Sequence, residues 1–413
     1  MLVEFTVGNY LSFKDKKTLS LEAASITEYM ASNVIRTKHC DLLKSTVIYG
    51  ANSSGKSNLI KAISTMQHIV LHSVEGASTK KIDVVPFLLS TKTEQAPSFF
   101  EMIFLIDKTL YRYGFEAYNT NIASEWLFET QGKTEKPLFI RENNAIEVMQ
   151  GFAEGENMEE KTRDNVLFLS VVDQFNGKTA KKIFQWFNQL VPISGLSHEM
   201  YKEMTFSVLT DDNTQDAVST FFDILDLGFD EISWNIEPTK MTLSGKEYPY
   251  IEKEIKTKHH KYDEKNEMID FVEFDMQNQE SSGTNKIFNI SGSVINVLNK
   301  GGVLVIDELD ASLHPLLTLA LTKLFNSTAH NPQNAQLIFA THDTNLLHYG
   351  NYRRDQIYFV EKNSYGASDL YSLVEYKEDD NKKVRKDRSF EKDYIQGRYG
   401  AIPFIGDFSK LTH

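Results

Sequence analysis

The chain has 413 residues, 41% of them hydrophobic, enough for two or three domain-sized units or one core carrying a large insertion. Its formal charge is −13, from 57 acidic against 44 basic residues, which excludes wholesale coating of nucleic-acid phosphates but leaves room for a small DNA contact. No apolar run is long enough to span a bilayer, Met1–Phe5 does not open a leader, and the single Cys40 excludes an intrachain disulfide, so a cytoplasmic protein without a membrane partner is expected.

Leu2–Val7 alternates as a strand does, Asn9–Asp15 reads as a turn, and Thr18–Ala23 begins a second strand. After a mixed stretch over 25–42, the apolar run Thr46–Tyr49 enters Gly50-Ala51-Asn52-Ser53-Ser54-Gly55-Lys56-Ser57, which fits G-x-x-x-x-G-K-[ST]. A helix leaves it, with Leu59, Ile60, Ile63, Met66, Ile69 and Val70 on one face. Glycines let such a loop bend close to phosphate, while successive N–H groups and a helix N-terminus favour negative charge. Gly50, Asn52, Ser53, Ser54, Gly55, Lys56, Ser57 and Asn58 are therefore the predicted nucleotide cradle. Lys56 would reach the β- and γ-phosphates and Ser57 would hold Mg²⁺.

The next stretch changes character. Phe99–Ile106 and Thr109–Glu116 are joined by Asp107-Lys108, with a third strand over Ser124–Thr130. This antiparallel meander breaks the βα alternation expected after such a loop. Residues 131–165 read as hairpins or surface loops. Helices follow around 180–190 and 217–225, the second stopped by Gly228. Strand-like pieces over 231–275 surround a charged run, Glu252 to Glu267, that predicts a solvated hairpin tip.

From Gly283 the α/β pattern returns. A helix through Ile287, Val294, Ile295 and Leu298 closes at Gly301-Gly302, before the buried strand Val303–Ile306. Pro315 starts a helix with Leu317, Ala320, Leu321, Leu324 and Phe325 on one face, and Leu337–Ala340 is another buried strand. Gln356–Glu361 and Leu370–Val374 form a hairpin at the sheet edge. The charged tail 377–394 reads as flexible, and the aromatic ending Tyr394–Phe404 as ordered. The expected division is thus 1–130 for the first part of a core, 131–275 for an inserted, mainly helical lid, 276–376 for the second part, and 377–413 for the tail.

Two further strand ends carry chemistry. Val303–Ile306 runs into Asp307 and Glu308. A carboxylate there sits beside a phosphate loop, so Asp307 fits the Mg²⁺ shell and Glu308 fits activation of the attacking water. Ile338–Thr341 runs into His342, whose imidazole could contact the γ-phosphate or orient that water.

Asp307-Glu308-Leu309-Asp310-Ala311-Ser312-Leu313-His314-Pro315, followed by Ala340-Thr341-His342-Asp343, resembles the Walker B, D-loop and switch-histidine series of ABC-type ATPases. The branch it resembles contains SMC, Rad50-like and RecF/OLD proteins, and Phe5–Lys14 is similar to that branch's first strand and turn. The resemblance implies an α/β P-loop core with an antiparallel β subdomain and a lid between Walker A and Walker B. It implies ATP and Mg²⁺ as cofactors and a homo-oligomer, a dimer or a multiple of dimers. The family's signature loop maps to Glu280–Lys286, which lacks the usual leading Leu and second Gly but keeps Ser282 and Gly283 to meet a γ-phosphate on another subunit. Gln95 is the candidate Q-loop residue and Mg²⁺ ligand, and Tyr10 or Phe13 the candidate to stack on adenine.

The size and the ending Gly397-Arg398-Tyr399-Gly400-Ala401-Ile402-Pro403-Phe404 resemble ATPases of bacterial anti-phage operons, including RloA/AbiL-like proteins and the ATPase of the PARIS system. That resemblance implies a sensor and regulator of a separate toxic effector, a Toprim-type or other nuclease, because the stretch after His342 is too short to hold a Toprim domain as well as the sheet edge. The alternative is a RecF/SMC-like protein that binds DNA in an ATP-dependent way.

Overall fold

Alternation at period two decides where the glycine-rich loop sits. The computed structural model describes residues 1–243, 246–349, 352–377 and 383–403; residues 378–382 of the charged tail and Phe404 of the aromatic ending lie outside these. Strands β1 (Leu2–Gly8) and β2 (Lys17–Ser20) open the chain, followed by a small hairpin of β3 (Val34–Ile35) and β4 (Leu42–Leu43). Then come β5 (Ser45–Tyr49) and α1 (Lys56–His72). A meander follows: β6 (Ser98–Ile106), β7 (Thr109–Ala117), β8 (Ile122–Gln131), β9 (Thr134–Glu142) and β10 (Ala145–Val148). With β1 and β2 it makes a seven-stranded antiparallel sheet of order β10-β9-β8-β7-β6-β1-β2.

The next stretch mixes helices and strands. It holds α2 (Phe168–Gln174), α3 (Lys178–Asn188), β11 (Leu190–Ser194), α4 (Lys202–Leu209) and α5 (Gln215–Leu225). A three-stranded antiparallel sheet completes it: β12 (Glu231–Leu243), β13 (Lys246–Tyr262) and β14 (Met268–Asp275). Strand β11 departs from the helical expectation, because it leaves the inserted stretch and pairs in parallel with the strand that carries Asp307. Helix α5 ends at Asp226 in the left-handed conformation (φ 46°), two residues before the predicted Gly228 stop. The Asp263–Glu267 end of the charged run is the exposed β13–β14 turn, as the pattern predicts, with the Asp263 carboxylate accepting from the N–H groups of Lys265 and Glu267.

The last third alternates helix and strand. It runs α6 (Met276–Gln279), α7 (Ser282–Lys300), β15 (Val303–Asp307), α8 (Pro315–Asn326), β16 (Gln336–Ala340) and α9 (Asn345–Tyr349), then β17 (Ile357–Lys362), β18 (Ser368–Ser372) and α10 (Phe390–Ile395). A six-stranded sheet of order β11-β15-β16-β5-β17-β18 results, parallel except for β18. β5 and β16 are buried along their whole lengths, as strands covered on both faces must be. One face of the sheet (Ile48, Val303, Val305, Ile338, Val360) packs on Leu59, Ile63 and Met66 of α1, whose far side meets Phe5, Phe100, Phe104 and Phe115 of the antiparallel sheet. The other face (Val47, Leu304, Ile306, Phe339, Phe359) packs on α7, α8 and residues 390–401. Helix α1 is thus clamped between two sheets, each buried aliphatic side chain contributing about 1.5–3 kcal/mol. That clamp fixes the loop at its N-terminus.

The described part of the tail is tied down rather than loose. Ser389 caps α10, Arg388 pairs with Asp393, and the Tyr394 ring lies 5.6 Å from that of Tyr49. Among the described residues no helix is long and apolar enough to cross a membrane.

Candidate nucleotide site

The loop Gly50–Ser57 leaves β5 and turns into α1 through two left-handed residues, Ser53 (φ 64°) and Gly55 (φ 117°). Gly55 has a second reason to lack a side chain, since a Cβ there would stand 2.8 Å from Ser12 Oγ and closer still to Ser368 Oγ. Those two serines brace the loop from behind. Ser368 Oγ donates to the Ser54 carbonyl (2.6 Å), and Asn58 Nδ2 donates to Ser12 Oγ (2.8 Å). Asn52, Ser53 and Ser57 are exposed, while Ser54, Gly55 and Lys56 are buried. No side chain caps α1, so its first-turn N–H groups remain available to a phosphate.

Lys56 Nζ donates to the carbonyls of Gly50 (2.7 Å) and Ala51 (3.2 Å), which arch its cation over the loop. Burial holds its pKa below the usual lysine value, against the opposing charges of Asp307, Glu308 and Asp310. The parallel strands β15 and β16 bring those groups in from distant sequence. Asp307 ends β15, and its Oδ1 is buried without a hydrogen-bond partner. Glu308 follows in the left-handed conformation (φ 51°), which turns the chain sharply after the strand. The Leu309 N–H donates to the Ala340 carbonyl at the end of β16 (3.1 Å), so the two strand ends advance together.

His342 lies two residues past β16, and its backbone N–H donates to the Asp310 carboxylate at 3.2 and 3.3 Å. Desolvation first, then the Lys56 charge, hold its imidazole below the ordinary histidine pKa, against the pull of the three carboxylates. The ring is therefore neutral near pH 7 and can donate from one nitrogen and accept at the other. Tyr49 Oη, at the end of β5, donates to the Asp343 carbonyl (3.0 Å) and joins the loop strand to the histidine strand. Lys56, Asp307, Glu308, Asp310 and His342 form one electrostatic cluster at the C-terminal ends of β5, β15 and β16. Ligands of open parallel sheets bind at that edge.

The chain matches the family described as "AAA domain, putative AbiEii toxin, Type IV TA system" over residues 45–348, from the first residue of β5 to beyond His342. The chain belongs to that family. This AAA-domain protein therefore has the P-loop ATPase core expected from its motifs. Among solved structures it is similar to the Smc head domain with an extended coiled coil bound to the C-terminal domain of ScpA, from Pyrococcus furiosus. The identity there is 14% and the TM-score 0.44, over 90% of this chain and 96% of that one. No curated protein matches the sequence.

Other predicted residues fall elsewhere. Ser282 opens α7, capped by Ser281 Oγ, which accepts from the Thr284 N–H. It lines a cavity of about 580 Å³ with His198, Lys202, Phe206, Lys253 and Glu280, and not with the Gly50–Ser57 loop. Gly283 lies against Ser312 instead, where a Cβ would stand 2.7 Å from the Ser312 carbonyl oxygen. Gln95 is exposed on the turn before β6, and no described hydrogen bond links it to the loop. That turn is held by Asn9 Nδ2, which donates to the carbonyls of Thr93 (2.9 Å) and Ala96 (2.9 Å).

Tyr10 and Phe13 do not fit the adenine-stacking expectation. Both are buried in the core between the sheets, with Tyr10 edge-on to Phe100 and bonded to Thr65. An aromatic beside a glycine-containing turn reads as accessible in sequence, and for Tyr10 the packing of β6 and α1 closes it off. Ser12, Ser368 and Lys286 were not legible as site residues. The first two are ordinary serines in turn-like surroundings. Lys286 carried a signal, a lysine in phase with Ile290, Val294 and Val297 on the buried side of a helix.

Proposed function

We propose that this AAA-domain protein binds and hydrolyses ATP at sites shared between two copies of the chain, and that its nucleotide state controls a separate toxic effector in anti-phage defence. The observation that carries the hydrolytic part is the buried, unpartnered Oδ1 of Asp307 inside a cluster of Lys56, Glu308 and His342. A buried carboxylate oxygen without a donor suits a cation. Asp307 and Ser57 would hold Mg²⁺, which would supply positive charge against the phosphates.

In this reading the backbone of Gly50–Ser57 and the Lys56 ammonium bind the phosphates. Glu308 orients the attacking water and takes its proton. Neutral His342 offers a hydrogen bond to the terminal phosphate without adding a charge. Ser282 and Gly283 would complete the site from a second copy, which is consistent with Ser282 being exposed away from its own chain's loop. The toxin–antitoxin wording of the family description supports a defence setting.

The test is Glu308→Gln. The variant should bind ATP as the parent does, lose about 10²–10⁴-fold in turnover as loss of a general base predicts, and accumulate with ATP as a species of at least twice the 47.3 kDa chain mass by light scattering. Hydrolysis at the parent rate would remove Glu308 from its role. An unchanged mass with ATP bound would remove the shared site.

A further inference from the structure

Lys286 is fully buried as the fifth residue of α7, yet among the described residues no carboxylate bonds to it. Its Nζ donates instead to three backbone carbonyls, those of Glu308 (3.0 Å), Leu309 (3.0 Å) and Ala311 (2.7 Å). An ammonium has three N–H donors and no acceptor, so these bonds use all of its capacity. The segment it grips bends sharply at two non-glycine residues, Glu308 (φ 51°) and Ser312 (φ 60°). Each such residue is in a conformation L side chains rarely adopt, and it persists only where its surroundings over-determine it.

Three further contacts hold the same turn. The Gly195 N–H donates to the Asp307 carbonyl (2.7 Å), Leu309 N–H is bonded to Ala340, and Gly283 lies against the Ser312 carbonyl. Gly283, like Lys286, comes from the helix that begins at Ser282. They are one helical turn apart, so two successive turns of α7 contact the Glu308–Ser312 turn.

We propose that Lys286 is a positioning residue for hydrolysis: it pins the backbone at Glu308, Leu309 and Ala311 so that the Glu308 carboxylate keeps its aim, and it ties that aim to Ser282 at the start of α7. The inference rests on the assignment of Glu308 as the base that activates water. Because Ser282 is exposed, whatever docks on it is felt at Glu308 through Lys286, some 22 residues away in sequence. A hydrolysis site that reads a docked partner copy needs such a link.

Lys286→Met keeps the length of the side chain and removes the three donors. The variant is compared with the parent, with Glu308→Gln and with the double variant, using full-length protein, ATP–Mg²⁺ and a fluorescent ATP analogue for binding. Lys286→Met should lower kcat about 30-fold or more, in line with the effect of a small misplacement of a reacting group, while nucleotide affinity stays within about threefold. In the Glu308→Gln background it should remove no more than about a further threefold, because it acts through Glu308.

A kcat within threefold of the parent, with Glu308→Gln inactive, overturns the role of Lys286 and leaves that of Glu308 standing. Equal losses in both backgrounds, or a parallel fall in nucleotide affinity, mean a merely structural lysine and also overturn it. Full activity of Glu308→Gln instead strikes the hydrolytic assignment itself. If Lys286→Met lacks the parent's cooperative melting transition, Lys286→Leu, which also removes the donors, is judged by the same criteria.

Discussion

His342 shows how a single side chain is tuned by its neighbours. Desolvation and the Lys56 cation both disfavour the imidazolium, while Asp310, Glu308 and Asp307 favour it, and the net displacement is downward. A lowered pKa means the ring stays neutral through pH 7 and gains its proton only on acidification below the ordinary value of 6.5. The part of the acid limb of kcat/KM that His342→Gln abolishes should therefore have its midpoint below 6.5. A limb carried by His342 with a midpoint above 6.5 would show the surrounding carboxylates dominating instead. Asp307, Glu308 and His342 were legible in the sequence because each ends an apolar run, and strand ends are where side chains leave a sheet. Ser12 and Ser368 were not, because bracing a loop from behind needs only a hydroxyl at the right place, and no pattern marks that place.

Elements with strong periodicity were read with little loss, and those that break a local rule were not. β11 is the clearest miss, since Leu190-Val191-Pro192-Ile193-Ser194 contains a proline, which argues against a strand. It is tolerated because β11 is the outermost strand of the six-stranded sheet, pairing only with β15. The start of α2 is fixed by a buried carboxylate no periodicity reveals. Glu125 on β8 is fully buried and accepts from the N–H groups of Phe168 (2.6 Å) and Leu169 (3.0 Å) at the start of α2, and from Tyr113 Oη (2.9 Å). The Arg141 guanidinium is 3.7 Å away and donates to the Val166 carbonyl (2.6 Å), so the pair locks α2 onto the antiparallel sheet. Glu125→Ala leaves a buried guanidinium without its counter-charge and orphans three donors, at a cost of about 3–5 kcal/mol. Urea unfolding should show that loss as a lowered midpoint; a loss under about 1 kcal/mol would mean that the α2 end finds other partners.

For the molecule as a whole, the P-loop core was legible because its three strand ends carry recognisable chemistry, whereas the proposed pairing of two copies rests on resemblance alone. Charge provides a test that separates the two functional readings. The chain is acidic at −13, and three lysines of the three-stranded sheet are already engaged: Lys253 with Glu203, Lys256 with Glu254 and Glu273, Lys258 with Glu231. Lysines matched in this way release few counterions on meeting a phosphate backbone, so they give little affinity and a shallow dependence on salt. At about 0.15 M salt the Glu308→Gln protein should therefore hold duplex DNA no more tightly than the non-specific range of roughly 10⁻⁴–10⁻⁶ M, with ATP changing the affinity less than about threefold. Fluorescence anisotropy across a salt series reads both quantities. Tight binding that ATP strengthens and salt steeply weakens would require a basic surface assembled only when two copies close over nucleotide, and would move the balance to an ATP-dependent DNA-binding protein.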